Sequence, residues 1–254
     1  MISYIFTAVV YKPLYNGLIF LLSFIPHGDV GAAIILFTII IKLVLFPLSH
    51  RSIRVQKQMK QLEPELQKIK EKYKDDKNEQ AKQTMALYQE KDLNPLAGIF
   101  ALFIQIPILI GLYQIFRGTG LPHIDPTLLY SFVHAPMQVT MQFLGFLDVS
   151  TKSIVLAVLA GATQYLQVSY SLPPTPARTS AEPGSFSDEL GRAMNTQSRY
   201  ILPVFTFLIA WSVSGAISLY LITSNLFAIG QELYVRRSLA IETAQLAANG
   251  NKKN

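Results

Sequence analysis

The sequence predicts an all-α polytopic membrane protein: five transmembrane helices, an N-terminal interfacial helix and a cytoplasmic antiparallel helical hairpin. Three observations lead there. Half of the 254 residues are hydrophobic and only 15% are charged, a balance uncommon in soluble domains. The charges also avoid long stretches: Val30–His50 holds Lys42 alone, while Leu93–Phe116, Ser153–Ala177 and Tyr200–Gln231 hold none. About 20 apolar residues suffice to cross a hydrocarbon core of roughly 30 Å, so these stretches read as membrane segments. Finally, the connections 51–92, 171–199 and the tail from 232 carry 18 Lys+Arg, whereas 1–29 and 117–152 carry three, Lys12, Arg117 and Lys152. Short loops rich in Lys and Arg stay in the cytoplasm, which sets the N-terminus outside and the C-terminus inside.

Residues 1–29 combine Tyr4–Val10, Lys12-Pro13 and Leu14–Ile25. No basic residue precedes the first apolar run and no small-residue cleavage site follows the second, which disfavours a signal peptide. An amphipathic helix in the outer interface fits better, with Tyr11, Lys12 and Tyr15 at headgroup level. Pro26-His27-Gly28-Asp29 then turns into the first span, 30–50. Whether a native signal anchor belongs ahead of these residues is left open.

Segment 51–93 is dense in Lys, Glu and Gln and lacks Gly. Val55, Met59, Leu62, Leu66, Ile69 and Tyr73 recur at spacings of four and three, an apolar stripe of the coiled-coil kind. After the polar turn Lys74-Asp75-Asp76-Lys77-Asn78, Ala81, Met85 and Tyr88 continue the rhythm, giving a hairpin with facing stripes. Pro64 should kink or restart the first arm, because it cannot donate to the carbonyl of Lys60. Asn94-Pro95 marks re-entry into the second span, 94–117, and an extracytoplasmic loop, 118–152, leads to the third, 153–170. Ser171–Arg199, with Pro173, Pro174, Pro176 and Pro183, reads as a flexible cytoplasmic loop. The uncharged run after it divides at Ser212-Val213-Ser214-Gly215 into spans 200–212 and 215–234, leaving a basic cytoplasmic tail, 235–254.

Lys42 is the most informative residue, an ammonium well inside an apolar span where charge is costly. One reading is a lysine that snorkels to the headgroups; the other is a cation in a wet cavity, with Thr38 on the same helix face. Gln105, Gln164 with Gln167, and the stripe Ser214, Ser218 and Asn225 are further polar residues inside spans. Each suits an interhelical hydrogen bond, and with Lys42 they also suit a hydrophilic cavity. Trp211 is either an interface anchor or part of that cavity.

The four histidines (His27, His50, His123, His134) lie at span edges or in loops, and no span holds a carboxylate pair. That removes the side chains intramembrane proteolysis needs, so no catalytic residue, metal or cofactor is expected and the protein reads as a non-enzyme. The absence of Cys excludes a disulfide scaffold and thiolate metal sites. Hairpin residues Arg51, Arg54, Lys57, Lys60, Tyr73 and Lys74 are candidate contacts for anionic lipid headgroups or a partner. With 11 basic and 8 acidic residues in 51–92, the hairpin's net charge is too modest to suggest nucleic-acid sequence recognition.

Ile40–Leu48 (IIKLVLFPL) leads into a hairpin with Leu62-Glu63-Pro64-Glu65-Leu66 and Lys72-Tyr73-Lys74-Asp75-Asp76. Leu87-Tyr88, Asn94-Pro95-Leu96, Gln105-Ile106-Pro107-Ile108, Gly145-Phe146-Leu147-Asp148-Val149-Ser150, Ser218-Leu219-Tyr220 and Ser224-Asn225 follow in order. In this ordered set, from about Tyr11 to Arg237, the chain resembles the YidC/Oxa/Alb family of membrane protein insertases.

The resemblance implies a positively charged hydrophilic groove, open to the cytoplasm and to lipid and closed to the outside. Such a groove receives the polar tail of a nascent membrane protein while its hydrophobic segment slides into lipid. It implies groove positions at Lys42, where the family typically has arginine, and at Gln105, with Trp211 near a family tryptophan and Ser214 where many members have proline. Lysine is a point charge, so bidentate anion recognition is weakened. The large extracytoplasmic domain of some Gram-negative members has no counterpart in these residues.

The expected substrate-groove set is therefore Lys42, Thr38, Gln105, Gln164, Trp211, Ser218 and Asn225. The expected partners are nascent membrane proteins, with the ribosome and a Sec translocon left open, for a protein working as a monomer. The expected location is a bacterial plasma (inner) membrane, since no transit peptide is visible. A small channel or transporter, or a membrane-anchored scaffold acting through its hairpin, stand as alternatives.

Overall fold

The computed structural model describes residues 2–94, 97–117, 121–171 and 186–250, and side chains within 4–59, 61–94, 104–117, 121–171, 199–238 and at 241. Its chain divides into two compact units, Met1–Lys42 with Pro107–Leu233, and Leu43–Ile106 with Tyr234–Asn254.

The first unit is built on helices. α1 (Ile2–Phe6) passes through a π-helical turn, Thr7–Tyr11, into α2 (Lys12–Leu22). Leu14, Tyr15, Leu18, Ile19 and Leu22 recur at helical spacing, and all are buried. They pack with Val30, Ala33, Ile34 and Phe37 of α3 (Val30–Val44) and with Leu112 and Ile115 of α7 (Ala97–Phe116). Gly17 and Gly111 permit the approach: a Cβ on them would lie 2.7 Å from the Phe37 ring and 2.6 Å from Leu14 Cδ1. Asn16, 2% exposed, donates to the Leu128 carbonyl (2.9 Å) and accepts from the Tyr130 amide (2.6 Å). The Tyr15 hydroxyl accepts from the Asp125 amide (2.8 Å). The Asp125 carboxyl accepts from the hydroxyl and amide of Thr127, and these bonds hold its pKa below the ordinary 3.8.

Asp29 caps α3 by accepting from the Ala32 amide (3.0 Å), and its second oxygen accepts from the Leu144 amide (2.9 Å). It thereby fastens the short hairpin β1 (Gln142–Phe143) and β2 (Leu147–Asp148), whose turn holds Leu144 and Gly145 at positive φ. α8 (Ile154–Ser171) then packs on α9 (Phe186–Ser212) through Ala157, Ala160 and Ala210. A Cβ on Gly161 would meet Phe207 Cβ at 3.1 Å and the Pro203 carbonyl at 3.3 Å, a small-residue seam of the kind that joins helices in lipid. The opposite faces stay apolar and exposed: Val155, Val158, Leu159 and Leu166 on α8, and Ile201, Val204, Phe205 and Leu208 on α9. In water, patches of this kind are rare; in lipid they are the expected outer surface.

Helix α9 ends at Ser212 and α10 (Gly215–Gly250) begins after two residues. The first amides of α10 are capped by the segment ahead of α8, Gly215 donating to the Thr151 carbonyl (2.8 Å) and Ala216 to the Val149 carbonyl (2.8 Å). The break at 213–214 therefore falls where Ser, Val and Gly suggest it.

The second unit contains α4 (Phe46–Gln61), α5 (Glu63–Lys72) and α6 (Lys77–Glu90). Pro64 restarts the helix at the head of α5. Asp76 caps α6, its carboxylate accepting from the Asn78 and Glu79 amides at 3.0 Å each. Leu62 and Leu87 are buried within this unit. Tyr234 of α10 packs edge-on to Phe46 (5.9 Å) and beside His50 (6.1 Å).

Several expectations need correction. Span 30–50 is not one helix: α3 stops at Val44 and α4 begins at Phe46, because Pro47 cannot donate to the carbonyl of Leu43. In α6 the expected stripe is out of phase, for Ala81 and Met85 are exposed and Leu87 is buried. Asp76 caps the helix, so Lys77 and Asn78 belong to α6 and the turn ends two residues earlier than the polar run suggests. The segment read as a loop, 171–199, becomes helical at Phe186, and 172–185 lie outside the described residues. The tail continues α10 as helix to Gly250. Pro95, part of the re-entry signal, lies outside the described residues.

By length and composition, Tyr4–Leu22 and Ile154–Ser171 are long and apolar enough to cross a membrane, and α3 with part of α4 makes a third only if taken together. Ile104–Phe116 and Arg199–Ser212 are shorter apolar helices.

Candidate functional site

Lys42 lies in the last turn of α3, three residues before the break at Leu45. The apolar residues Phe46–Leu48 that follow it are thus not a continuation of its own helix. At a rise of about 1.5 Å per residue, the 15 residues of α3 span about 22 Å. That is short of the roughly 30 Å of a typical hydrocarbon core. Lys42 is half-buried and makes contacts within the protein. Thr38, one turn earlier, is 1% exposed and spends its hydroxyl on the Ile34 carbonyl of its own helix (2.6 Å).

The other polar residues divide into two kinds. Ser218, fully buried, donates across the α9–α10 break to the Ala210 carbonyl (3.0 Å). Asn225, 8% exposed, donates to the Thr163 hydroxyl (3.3 Å) on α8. These two side chains therefore tie α10 to both neighbours, the interhelical role that polar residues take in bundles. Gln164 instead donates to Gln167 (3.0 Å), which donates to the Ser171 hydroxyl (3.1 Å), a half-buried amide ladder along α8. Trp211 is 52% exposed and stacks on Phe207 at 6.1 Å. Gln105 is half-buried on α7, two residues before Pro107, and belongs to the second unit together with the hairpin.

On the hairpin side, Arg51 and Lys74 are exposed, whereas Arg54 and Lys57 are half-buried and engaged within the protein. Tyr73 is half-buried with the Lys72 ammonium 5.1 Å from its ring centre. The side chain of Lys60 lies outside the described residues. Among the described residues, no group of three or more His, Cys, Asp or Glu could hold a metal.

Reading the sequence missed Glu232, 4% exposed on α10. Its signal was available: Ser218, Asn225 and Glu232 are seven apart, so the polar stripe continues one step past the uncharged run. The Asn16 tie to the 128–130 loop was also missed, because a single Asn among apolar residues carries no distinguishing pattern.

Short apolar helices with lipid-compatible outer faces, joined by buried polar side chains, define a helical membrane protein. A sequence model of the 60Kd inner membrane protein family matches residues 21–243, and the chain belongs to that family. It is 31% identical to the membrane protein insertase YidC of Citrifermentans bemidjiense over 94% of this chain and 39% of that protein. Against the membrane protein insertase YidC of Fusobacterium nucleatum it is 30% identical over 90% of this chain and 97% of that one. For the Clostridium tetani protein of the same name the identity is 34%, with 84% of each chain covered. The chain thus spans about two fifths of the Citrifermentans relative and nearly all of the Fusobacterium one. The family resemblance carried by the ordered motifs is thereby shown.

Proposed function

We propose that this chain is a membrane protein insertase that receives nascent hydrophobic segments in a positively charged groove and releases them into the bilayer. The observation that carries the reading is Lys42, a cation held half-buried in the last turn of a helix about one quarter shorter than a typical hydrocarbon core. Short helices thin the bilayer around them at modest cost, which shortens the path over which a polar tail is stripped of water. A carboxylate of that tail about 4 Å from the ammonium gains about 1–4 kcal/mol, as the surroundings pass from water-like to surface-like. No bond is made or broken, so binding and release suffice.

The arrangement that fits is five membrane helices, with the hairpin and C-terminus in the cytoplasm of a bacterial cell and the N-terminus outside. In it α2 is the interfacial helix. It crosses α7 at Gly111, about 8 Å from that helix's C-terminal end, and α3 at Phe37, about 10 Å from its start. The crossing at Gly111 lies toward the proposed outer face, and that at Phe37 falls at the middle of α3. In this reading the groove side chains of the first unit are Lys42, Gln164 and Trp211, while Ser218 and Asn225 brace the helices around them. Arg51 and Lys74 meet lipid headgroups or a partner such as the ribosome.

Liposomes carrying the purified chain test the reading. Insertion of a small single-span protein with an acidic tail is the expected result. Solute flux without insertion would indicate a channel. Insertion that needs residues 55–92 but tolerates Lys42→Glu would indicate a scaffold.

A further inference from the structure

Of the three basic residues on the charge-poor side of the protein, two meet in one cavity. Arg117 at the end of α7 and Lys152 ahead of α8 line a recess of about 240 Å³, closed by Ser150, Ser212, Ser214 and Tyr113. We propose that this recess binds the phosphodiester of an anionic phospholipid.

Donor bookkeeping supports an anion. Neither Arg117 nor Lys152 is paired with a carboxylate among the described residues. The Arg117 guanidinium lies 5.6 Å from the ring centre of Tyr113, one turn back, which holds it at the mouth. The Ser214 hydroxyl is buried and has no hydrogen-bond partner among the described residues. Arg117, Lys152 and the Ser214 hydroxyl therefore remain to donate.

The other two serine hydroxyls are committed, Ser212 to the Ile209 carbonyl (2.8 Å) and Ser150 to Asp148 (2.6 Å). Asp148 is the nearby acidic group, and the amide and hydroxyl of Ser150 both donate to it. The first amides of α10 are capped by Thr151 and Val149, so the site depends on side chains rather than on a free helix end.

Size and place decide which anion. The cavity is smaller than the 300–1,000 Å³ or so of sites that engulf a drug-sized ligand, so it holds a headgroup with the acyl chains outside. It sits at the ends of α7, α9 and α10, whose flanks carry lipid-compatible residues, and a lipid phosphate is the anion found at that depth. The proposal rests on the membrane reading but not on the insertase reading.

The test uses the full 254-residue chain extracted from nanodiscs of phosphatidylglycerol or of phosphatidylcholine, with retained lipid counted by native mass spectrometry. One phosphatidylglycerol should be retained per chain, in preference to phosphatidylcholine. Arg117→Gln with Lys152→Gln should lower that retention roughly tenfold or more. Ser214→Val, which keeps the shape and removes the hydroxyl, should lower it in the same direction, and Lys12→Gln should leave it unchanged. Equal retention of the two lipids, undiminished retention in the double variant, or an equal loss in Lys12→Gln would overturn the proposal. Binding of inorganic phosphate without phosphatidylglycerol retention would overturn the lipid assignment. Insertion measured on the same samples reports separately on the proposed function.

Discussion

Reversing the charge at Lys42 isolates the electrostatic part of the account. Lys42 is the only charged residue of α3, so Lys42→Glu replaces an attraction for an acidic tail with a repulsion of similar size. The attraction is about 1–4 kcal/mol at 4 Å, and reversal changes the tail's free energy by about twice that. At 1.4 kcal/mol per factor of ten, even the lower bound of about 2 kcal/mol corresponds to roughly a thirty-fold loss. The assay is protease accessibility of the tail, in cells depleted of their own insertase and supplied with each variant. Acidic-tailed substrates should fall by that factor with Lys42→Glu and less with Lys42→Ala, while Lys42→Arg should retain function. A substrate with a basic tail should improve. Wild-type insertion of acidic tails by Lys42→Glu, at normal protein level, would refute the charge argument.

Three further outcomes concern the scaffold. Gly161→Leu would drive a side chain into Phe207 and the Pro203 carbonyl and should cost about 1–3 kcal/mol as overpacking, read as a lower thermal midpoint in detergent. Asn225→Ala removes the tie to Thr163 and should cost about 0.6–1.7 kcal/mol by the same measurement, with insertion reduced only as far as stability is. Asp76→Ala removes the cap of α6 and should cost about 1 kcal/mol. Faster amide hydrogen exchange in α6, with α8 and α9 unchanged, would show it.

The membrane character was legible because the charges are excluded from long runs, and the break before α10 because Ser-Val-Ser-Gly favours no helix. The end of α3 was legible too, for Pro47 stands in the quoted motif, yet the apolar run passes straight through it. Hydrophobicity sets which residues sit in lipid, whereas a missing backbone donor sets where the helix stops. The phase of α6 was not legible, since nothing in the polar turn says which face of the following helix packs on α5. The roles of Ser218 and Asn225 were open in the sequence because an interhelical bond and a wet cavity ask for the same residue types. Their partners on α9 and α8 are what separate the two.

The most direct test of the central claim is where a substrate's polar tail goes. A photo-activatable residue at position 42 should crosslink to the acidic tail of a stalled nascent membrane protein. The same probe at Val158, on the exposed apolar face of α8, should reach only its hydrophobic segment. Crosslinks to the tail from hairpin positions alone, with none from position 42, would contradict the groove.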